Sequence, residues 1–595
     1  MEVFKDKVIY QIYPRSFMDS DGDGLGDLRG IIGKLDYLKE LGVSYLWLTP
    51  VYPSPQNDNG YDVADYCAVD PQVGTMADME ELIAESDKRG MGVMLDMVFN
   101  HTSTAHPWFQ KALAGEEEYQ DYYFFKEGTP DRLPTNWQSK FGGPSWEYVP
   151  SLGKWYLHLF DVTQADLNWE NPKVRQELKK VILFWKDKGV RGFRFDVVNL
   201  ISKPAVFKDD LEGDGKRLYS DGPHVHAFLK ELTRDTGIDT LVTAGEMSAT
   251  HLEACIRYSD PKEKELSMCF NFHHLKVDYK NGNKWELMKP DRMALKKLFE
   301  DWQLRMQEAN GWNALFWCNH DQPRIVSRYG EEGRYWKESA KMLAAAIHLM
   351  RGTPYIYQGE EIGMTNPHFR QISQYRDVES LNYHQILLKQ GKTEEEALAI
   401  LAARSRDNGR TPMQWSAGPK GGFTDGTPWI GMADNYPQIN VEAQLEDPDS
   451  IYHFYKELVR LRGEKAVVSE GSIEFFETED LDVLAYRRRY GEQELVVLAH
   501  LVDGEKRVKA EWEQAARESD EASGRTARGA SMQADRETDK RTDKRIDRET
   551  DKGTDRGWSG YERILGNYAD LDLCGEKGVI RLRPFEVVVL EKAGR

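Results

Sequence analysis

The sequence predicts an α/β protein: an eight-stranded (β/α)8 TIM barrel, a domain inserted after its third strand, and a C-terminal antiparallel β-sandwich. Three observations carry this. Short apolar runs alternate with amphipathic helical patterns, as in parallel strands joined by crossover helices. The alternation stops from Thr102 to Asn168, a stretch rich in Trp, Tyr, Pro and Gly that is too long for a loop. Beyond about residue 470, strand patterns follow one another without helices.

The 595 residues divide on this reading into a barrel (1–101 and 169–470), an inserted domain (102–168) and a sandwich (471–595). The formal net charge of −20 argues against nucleic acid or an anionic membrane as partner. Five scattered Cys without a CxxC pair fit reduced thiols in a cytoplasmic protein. MEVFKDKVIYQIYPRSF lacks the basic and apolar regions of a signal peptide, and no run of about 18 apolar residues predicts a membrane span. A monomer is expected.

Val8–Tyr13 is the first strand. The loop DSDGDGLGD follows, with Asp19, Asp21, Asp23 and Asp27 at the 1, 3, 5 and 9 spacing of a calcium loop. Leu25 holds position 7, where such a loop offers a main-chain carbonyl. Position 12 is Gly30 rather than Glu, so the EF-hand pattern is incomplete. A structural Ca²⁺ is expected here, the alternative being a solvated acidic turn. Ile31–Leu41 reads as one amphipathic helix, with Ile31, Leu35 and Leu38 on one face. Ser44–Pro50 is the second strand and Asn59–Tyr66 the loop beyond it. A helix over Asp78–Arg89 leads to the third strand, Met91–His101.

After the inserted segment, Asn171 caps a helix over Lys173–Lys188, with Pro172 at its first position. Arg191–Asn199, RGFRFDVVN, is the fourth strand. Arg194 and Asp196 share one face of it, so Arg194 is expected to hold Asp196 ionised. Asp239–Met247, Met268–His274, Asn313–Asp321 and Pro354–Glu361 are strands five to eight. The sandwich is interrupted by Glu513–Gly557, a low-complexity stretch with a near-tetrad repeat from Thr538. Its charges alternate and it is nearly devoid of apolar residues, so it is expected to be a mobile surface insertion.

Asp196, Glu246 and Asp321 stand at the C-terminal ends of three predicted barrel strands, with His101 and His320 beside them. Barrel interiors favour Val, Ile and Leu, and barrel enzymes keep their chemistry at this end. Such carboxylates suit glycosidic bond cleavage: one attacks carbon, and another with a raised pKa protonates the leaving oxygen.

DMVFNH, GFRFDVVN, GEM and NHD, in this order, resemble the four signature regions of the α-amylase superfamily (glycoside hydrolase family 13). The resemblance implies a retaining mechanism that needs no cofactor. It makes Asp196 the nucleophile, Glu246 the acid/base and Asp321 the transition-state stabiliser. It also implies that Asp62, His101, Arg194 and His320 shape the subsite of the cleaved sugar, with Gln164 a further substrate contact. Arg410, in RDNGRTPMQW, is implied as another contact to that sugar.

QADLN and Val197 resemble the oligo-1,6-glucosidase branch. His158–Asn171, Asn199–Pro204, Phe270–Trp285 and Gly311–Arg324 are most similar to its phosphotrehalose-hydrolysing members. This implies cleavage of α,α-trehalose 6-phosphate to glucose and glucose 6-phosphate. The alternative is an oligo-1,6-glucosidase or dextran glucosidase acting on isomalto-oligosaccharides. His273, His274, Lys276 and Lys284 follow strand six in an otherwise acidic protein and are the expected phosphate ligands. Against this stands the reading of the lysines as ordinary surface residues.

Overall fold

Eight short parallel strands close around one axis: β1 (Ile9–Ile12), β2 (Tyr45–Leu48), β3 (Gly92–Met97), β4 (Gly192–Phe195), β5 (Val242–Glu246), β6 (Met268–Phe270), β7 (Ala314–Leu315) and β8 (Thr353–Tyr357). The spatial order is β6-β5-β4-β3-β2-β1-β8-β7. A parallel bridge between Cys269 and Asn313 joins the two ends, so the barrel is closed. This computed structural model describes residues 4–476, 481–509, 560–571 and 579–592.

Local chemistry sets the helices. Pro172–Asp187 starts where Asn171 Oδ1 accepts from Lys173 N at 2.9 Å, and it buries Val174, Leu178, Val181, Ile182 and Trp185 against the barrel. The helix expected over Ile31–Leu41 is instead two, Leu28–Gly33 and Leu35–Leu41. Lys34 leaves helical geometry at the joint, after a glycine that favours the helix poorly. Ile31, Leu35 and Leu38 are nonetheless all fully buried.

Several strands are shorter than their apolar runs. β4 ends at Phe195 because Val197 adopts the left-handed conformation (φ 35°), followed by a 3-10 turn over Val198–Leu200. β3 ends at Met97, and His101–Ser103 forms a separate strand. After β6 the chain turns into a 3-10 helix, His273–Leu275.

The inserted segment is rooted at the barrel mouth at both ends. His101–Ser103 pairs antiparallel with Gln164–Asp166, matching His101 to Asp166 and Ser103 to Gln164. Between them stands a three-stranded antiparallel sheet of Phe125–Glu127, Lys154–Leu157 and Trp146–Val149.

The C-terminal part holds a five-stranded antiparallel sheet in the order Ser472–Phe475, Val483–Tyr490, Gln493–His500, Val587–Lys592, Tyr561–Gly566. A separate pair, Lys506–Lys509 with Val579–Leu582, shares its apolar core of Val483, Val496, Leu498, Val508, Ile580 and Val588. Tyr486 ties the larger sheet to the barrel by donating to Ala346 O at 3.1 Å. The low-complexity stretch Glu513–Gly557 lies outside the described residues. Among the described residues no helix is long and apolar enough to cross a membrane, and Cys67, Cys255, Cys269 and Cys318 are unpaired.

Candidate active site

Arg194 is the electrostatic hub of the barrel mouth. It is 1% exposed, and its guanidinium lies 5.1 Å from the Trp47 ring. Nη1 bonds Asp96 Oδ1 at 2.6 Å and Asp196 Oδ1 at 2.7 Å, while Nη2 bonds Glu246. One buried cation therefore faces three buried carboxylates. Burial pushes Asp196 and Glu246 each up to about 7, and Asp96 to about 6. Arg194 lowers Asp196, as expected of it, but its charge is divided three ways and desolvation is the larger effect. The contact between Asp196 and Glu246 then separates their roles, because it lowers Asp196 and raises Glu246. The retained proton belongs on Glu246.

Asp196 sits immediately before the strained Val197 turn. A β-branched residue in the left-handed region is costly, and such strain collects where a side chain must be aimed. The turn is held by Asp196 N donating to Met97 O at 3.0 Å and Val197 N to Glu246 Oε2 at 3.4 Å.

Asp321 is held in the opposite state. Burial raises its pKa, but His320 and the guanidiniums of Arg406 and Arg410 outweigh this and hold it well below the ordinary value. His320 Nε2 is 3.1 Å from Asp321 Oδ2, and Arg410 Nη2 and Arg406 Nη1 are 2.9 and 3.2 Å from Oδ1. The His320 ring is fixed by Gln11 Nε2 at 2.8 Å and by stacking on Tyr61 at 5.0 Å.

His101 and Gln164 are fully enclosed beside this group. Gln164 Nε2 reaches His101 Nε2 at 3.1 Å and Asp58 Oδ2 at 3.0 Å, and burial lowers the His101 pKa to about 4, so the ring is neutral. Asp62 requires a correction. Its carboxylate accepts from Ser54 Oγ (2.7 Å), Asn57 N (3.0 Å) and Asp58 N (3.1 Å), so it folds its own loop and does not face a sugar. Asp58 is the acid that enters the site, 3.0 Å from Arg406 Nη2. Asp58 and Arg406 were missed in the sequence, although each lies four residues from a residue singled out, Asp62 and Arg410.

The predicted phosphate ligands do not stay together. His274 is corrected: it packs against Phe299 and Trp317, its Nε2 lies 2.8 Å from Phe316 O, and burial lowers its pKa to about 3. It is a neutral core residue. His273 likewise turns toward the helix Arg292–Glu308, with its ring 5.0 Å from Trp302, and burial lowers it to about 4. Lys284 is paired with Glu379 at 2.6 Å. Lys276 is exposed and lines a cavity of about 190 Å³ together with Glu246, Ser248 and Asp321. Among the described residues its ammonium group has no hydrogen-bond or ion-pair partner.

In the acidic loop, carboxylate oxygens of Asp19, Asp21 and Asp27 lie within 4.8 Å of one another, a hard-oxygen set that suits a divalent cation. Asp23 falls outside this group; its Oδ1 accepts from Leu25 N at 2.7 Å. Asp19 also accepts from Gly22 N (2.7 Å) and Gly24 N (2.8 Å), and Asp27 caps the helix Leu28–Gly33 through Gly30 N at 2.7 Å.

The Alpha amylase, catalytic domain model matches residues 11–471. Trehalose-6-phosphate hydrolase of Escherichia coli (strain K12) is 57% identical over 499 residues, covering 84% of this chain and 90% of the relative. Oligo-1,6-glucosidase of Parageobacillus thermoglucosidasius is 47% identical over 506 residues, with 84% and 90% covered. The crystal structure of Bacillus licheniformis trehalose-6-phosphate hydrolase superposes with a TM-score of 0.88 at 48% identity, covering 100% of both chains. With its closed barrel, its buried carboxylates at the strand ends and this extent of similarity, the chain belongs to the α-amylase catalytic-domain family.

Proposed function

We propose that this enzyme is a retaining α-glucosidase that hydrolyses α,α-trehalose 6-phosphate to glucose and glucose 6-phosphate. The unphosphorylated glucose lies over Asp196, contacted by Asp58, His101, His320 and Arg406, with Arg410 and Gln164 behind them. Asp196 attacks the anomeric carbon and forms a β-glucosyl ester. Glu246 gives its proton to the departing oxygen of glucose 6-phosphate. Asp321, kept anionic, stabilises the positive charge that builds on the ring. Glu246, now a base, takes a proton from water, which attacks the ester and releases α-glucose.

The observation that carries the phosphorylated substrate is Lys276, a cation whose ammonium has no partner among the described residues, on the wall of the cavity that contains Glu246. A neutral disaccharide gives such a charge no counter-ion, whereas a phosphate does. The greater identity to the trehalose-6-phosphate hydrolase supports the same choice. A phosphorylated sugar is confined by its charge, which favours a cytoplasmic enzyme; we take it to work as a monomer. The Asp19–Asp27 loop is proposed to hold a structural Ca²⁺ away from the reaction.

The test is glucose release from trehalose 6-phosphate, trehalose and isomaltose by wild type and Lys276→Ala. Selectivity for the phosphorylated sugar that falls in the variant supports the reading. Preference for isomaltose with a silent Lys276→Ala assigns the enzyme to the oligo-1,6-glucosidases.

A further inference from the structure

We propose that the phosphate subsite is built by three lysines from three separate segments: Lys140 of the inserted domain, Lys216 of the excursion after β4, and Lys276 after β6. Lys140 is its specificity-determining member. This rests on the phosphotrehalose reading and goes beyond it by naming residues that no linear cluster shows.

Lys140 Nζ donates to Ser248 Oγ at 3.1 Å and lies 5.3 Å from the Tyr219 ring. Ser248 stands two residues beyond Glu246 and lines the same cavity as Lys276. Its main chain is pinned on both sides, N to Asn199 Oδ1 and O to Asn199 Nδ2, each at 2.8 Å, so the hydroxyl that Lys140 reaches is a fixed point on the cavity wall. Lys216 pairs with Asp214 at 2.6 Å and begins the short helix Lys216–Tyr219, whose Tyr219 ring Lys140 faces. Lys140 thus touches both the cavity wall that Lys276 lines and the helix that carries Lys216. Burial lowers Lys140 to about 7, with Lys216 and Lys276 adding to the effect and Asp214 and Glu246 opposing it.

Like charges gathered around one cavity oppose each other unless an anion joins them. Lys140 and Lys276 have no carboxylate in contact among the described residues. A phosphate monoester carries close to two negative charges at neutral pH and offers three acceptor oxygens, which matches three converging donors. The cavity wall includes the proton donor Glu246, so an anion there sits on the leaving-group side, where the 6-phosphate belongs. Lys140 reaches Ser248 on this cavity wall from the inserted domain and links that domain to substrate choice.

The experiment compares kcat/KM for trehalose 6-phosphate and for neutral p-nitrophenyl α-glucoside in wild type, Lys140→Ala, Lys140→Arg and Lys216→Ala, with calorimetric binding of glucose 6-phosphate alongside. Lys140→Ala and Lys216→Ala are expected to lower the ratio of the two kcat/KM values by about 10- to 100-fold, chiefly through KM. Lys140→Arg is expected to recover part of the loss, and glucose 6-phosphate binding to weaken in parallel. A ratio held at the wild-type value in both alanine variants overturns the trio, as does an equal loss on both substrates. Should Lys140→Ala not fold, Lys216→Ala and the binding measurement decide. Wild type that shows no preference for trehalose 6-phosphate over trehalose instead overturns the underlying reading, a distinct outcome.

Discussion

Asp196 and Glu246 share one buried cation: Arg194 Nη1 bonds Asp196 Oδ1 at 2.7 Å and Nη2 bonds Glu246, while their mutual contact raises Glu246 and lowers Asp196. The acid is thus protonated and aimed while the nucleophile is relieved of its proton. Because burial pushes Glu246 up to about 7, kcat/KM should fall as pH rises above neutrality, where the proton donor is lost. Stability follows the same group. A carboxyl whose folded pKa is raised contributes fully at pH below its ordinary value and loses that contribution as pH rises through about 7. Glu246→Gln should therefore abolish the alkaline limb of the rate profile and raise Tm relative to wild type at pH 8, with a smaller gain at pH 5. Thermal melts at both pH values check this; a gain that is larger at pH 5 contradicts it.

The two carboxylates should separate by product stereochemistry. Asp196→Asn is expected to lower kcat by about 10⁴-fold or more with the fold intact. In Asp196→Ala supplied with azide and an activated aryl α-glucoside, azide takes the place of the nucleophile and yields the β-glucosyl azide. In Glu246→Ala the glycosyl-enzyme still forms, and azide attacks it from the other face to give the α-azide. NMR of the two products checks the assignment, and interchanged products would reverse it.

Arg194 compensates charges that have no other buried cation in contact among the described residues. Removing it as Arg194→Met strands Asp96, Asp196 and Glu246, the kind of change that costs about 3–5 kcal/mol when one partner of a buried ion pair is lost. The stranded carboxyls take up protons more readily, so the loss should be smaller at pH 5 than at pH 8. Urea unfolding at the two pH values measures it. A loss independent of pH would assign Arg194 a packing role.

The fold and the gathering of Asp196, Glu246 and Asp321 at the barrel mouth were legible because their signals are local. Each barrel strand is an apolar run; Glu246 ends β5, and Asp196 and Asp321 follow β4 and β7. What the sequence concealed depends on side-chain direction outside strands. Asp58 and Asp62 share NDNGYD, and left-handed Asn59 and Gly60 between them decide which carboxylate enters the site. His273 and His274 read as strand residues, but the 3-10 turn that begins there carries them toward the helix layer. Lys140, Lys216 and Lys276 are too far apart in sequence to form a visible cluster.

Asp58 and Asp62 should accordingly fail in different ways. Asp58→Asn removes one contact of Arg406, which keeps Asp377 and Asp321. Tm should change little while kcat/KM falls by roughly 10²-fold, the loss tied to a group that contacts the cleaved sugar. Asp62→Ala leaves two backbone N–H groups and Ser54 without their acceptor, at about 1–3 kcal/mol for each buried group left unpaired. That variant should melt earlier, and its activity should recover on cooling. Paired melting curves and rates at two temperatures distinguish them; a thermally normal, inactive Asp62→Ala would restore Asp62 to the site.

The acidic loop gives the last test. An ion that binds only the folded state stabilises by about 2.7 kcal/mol at a concentration 100 times its Kd. Added Ca²⁺ should therefore raise Tm by a few degrees over enzyme in chelator. The initial rate at low temperature should not change, since the loop takes no part in bond cleavage. Asp21 is the discriminating position. It is exposed, and its side chain accepts only a 3.2 Å bond from Asp23 N, whereas Asp19 and Asp27 also hold the loop and a helix cap together. Asp21→Asn should then erase the calcium-dependent shift while leaving the melting point in chelator close to wild type. If wild type melts at the same temperature with calcium and with chelator, the main-chain hydrogen bonds to Asp19 and Asp27 suffice to hold the loop, and its carboxylates form a solvated turn.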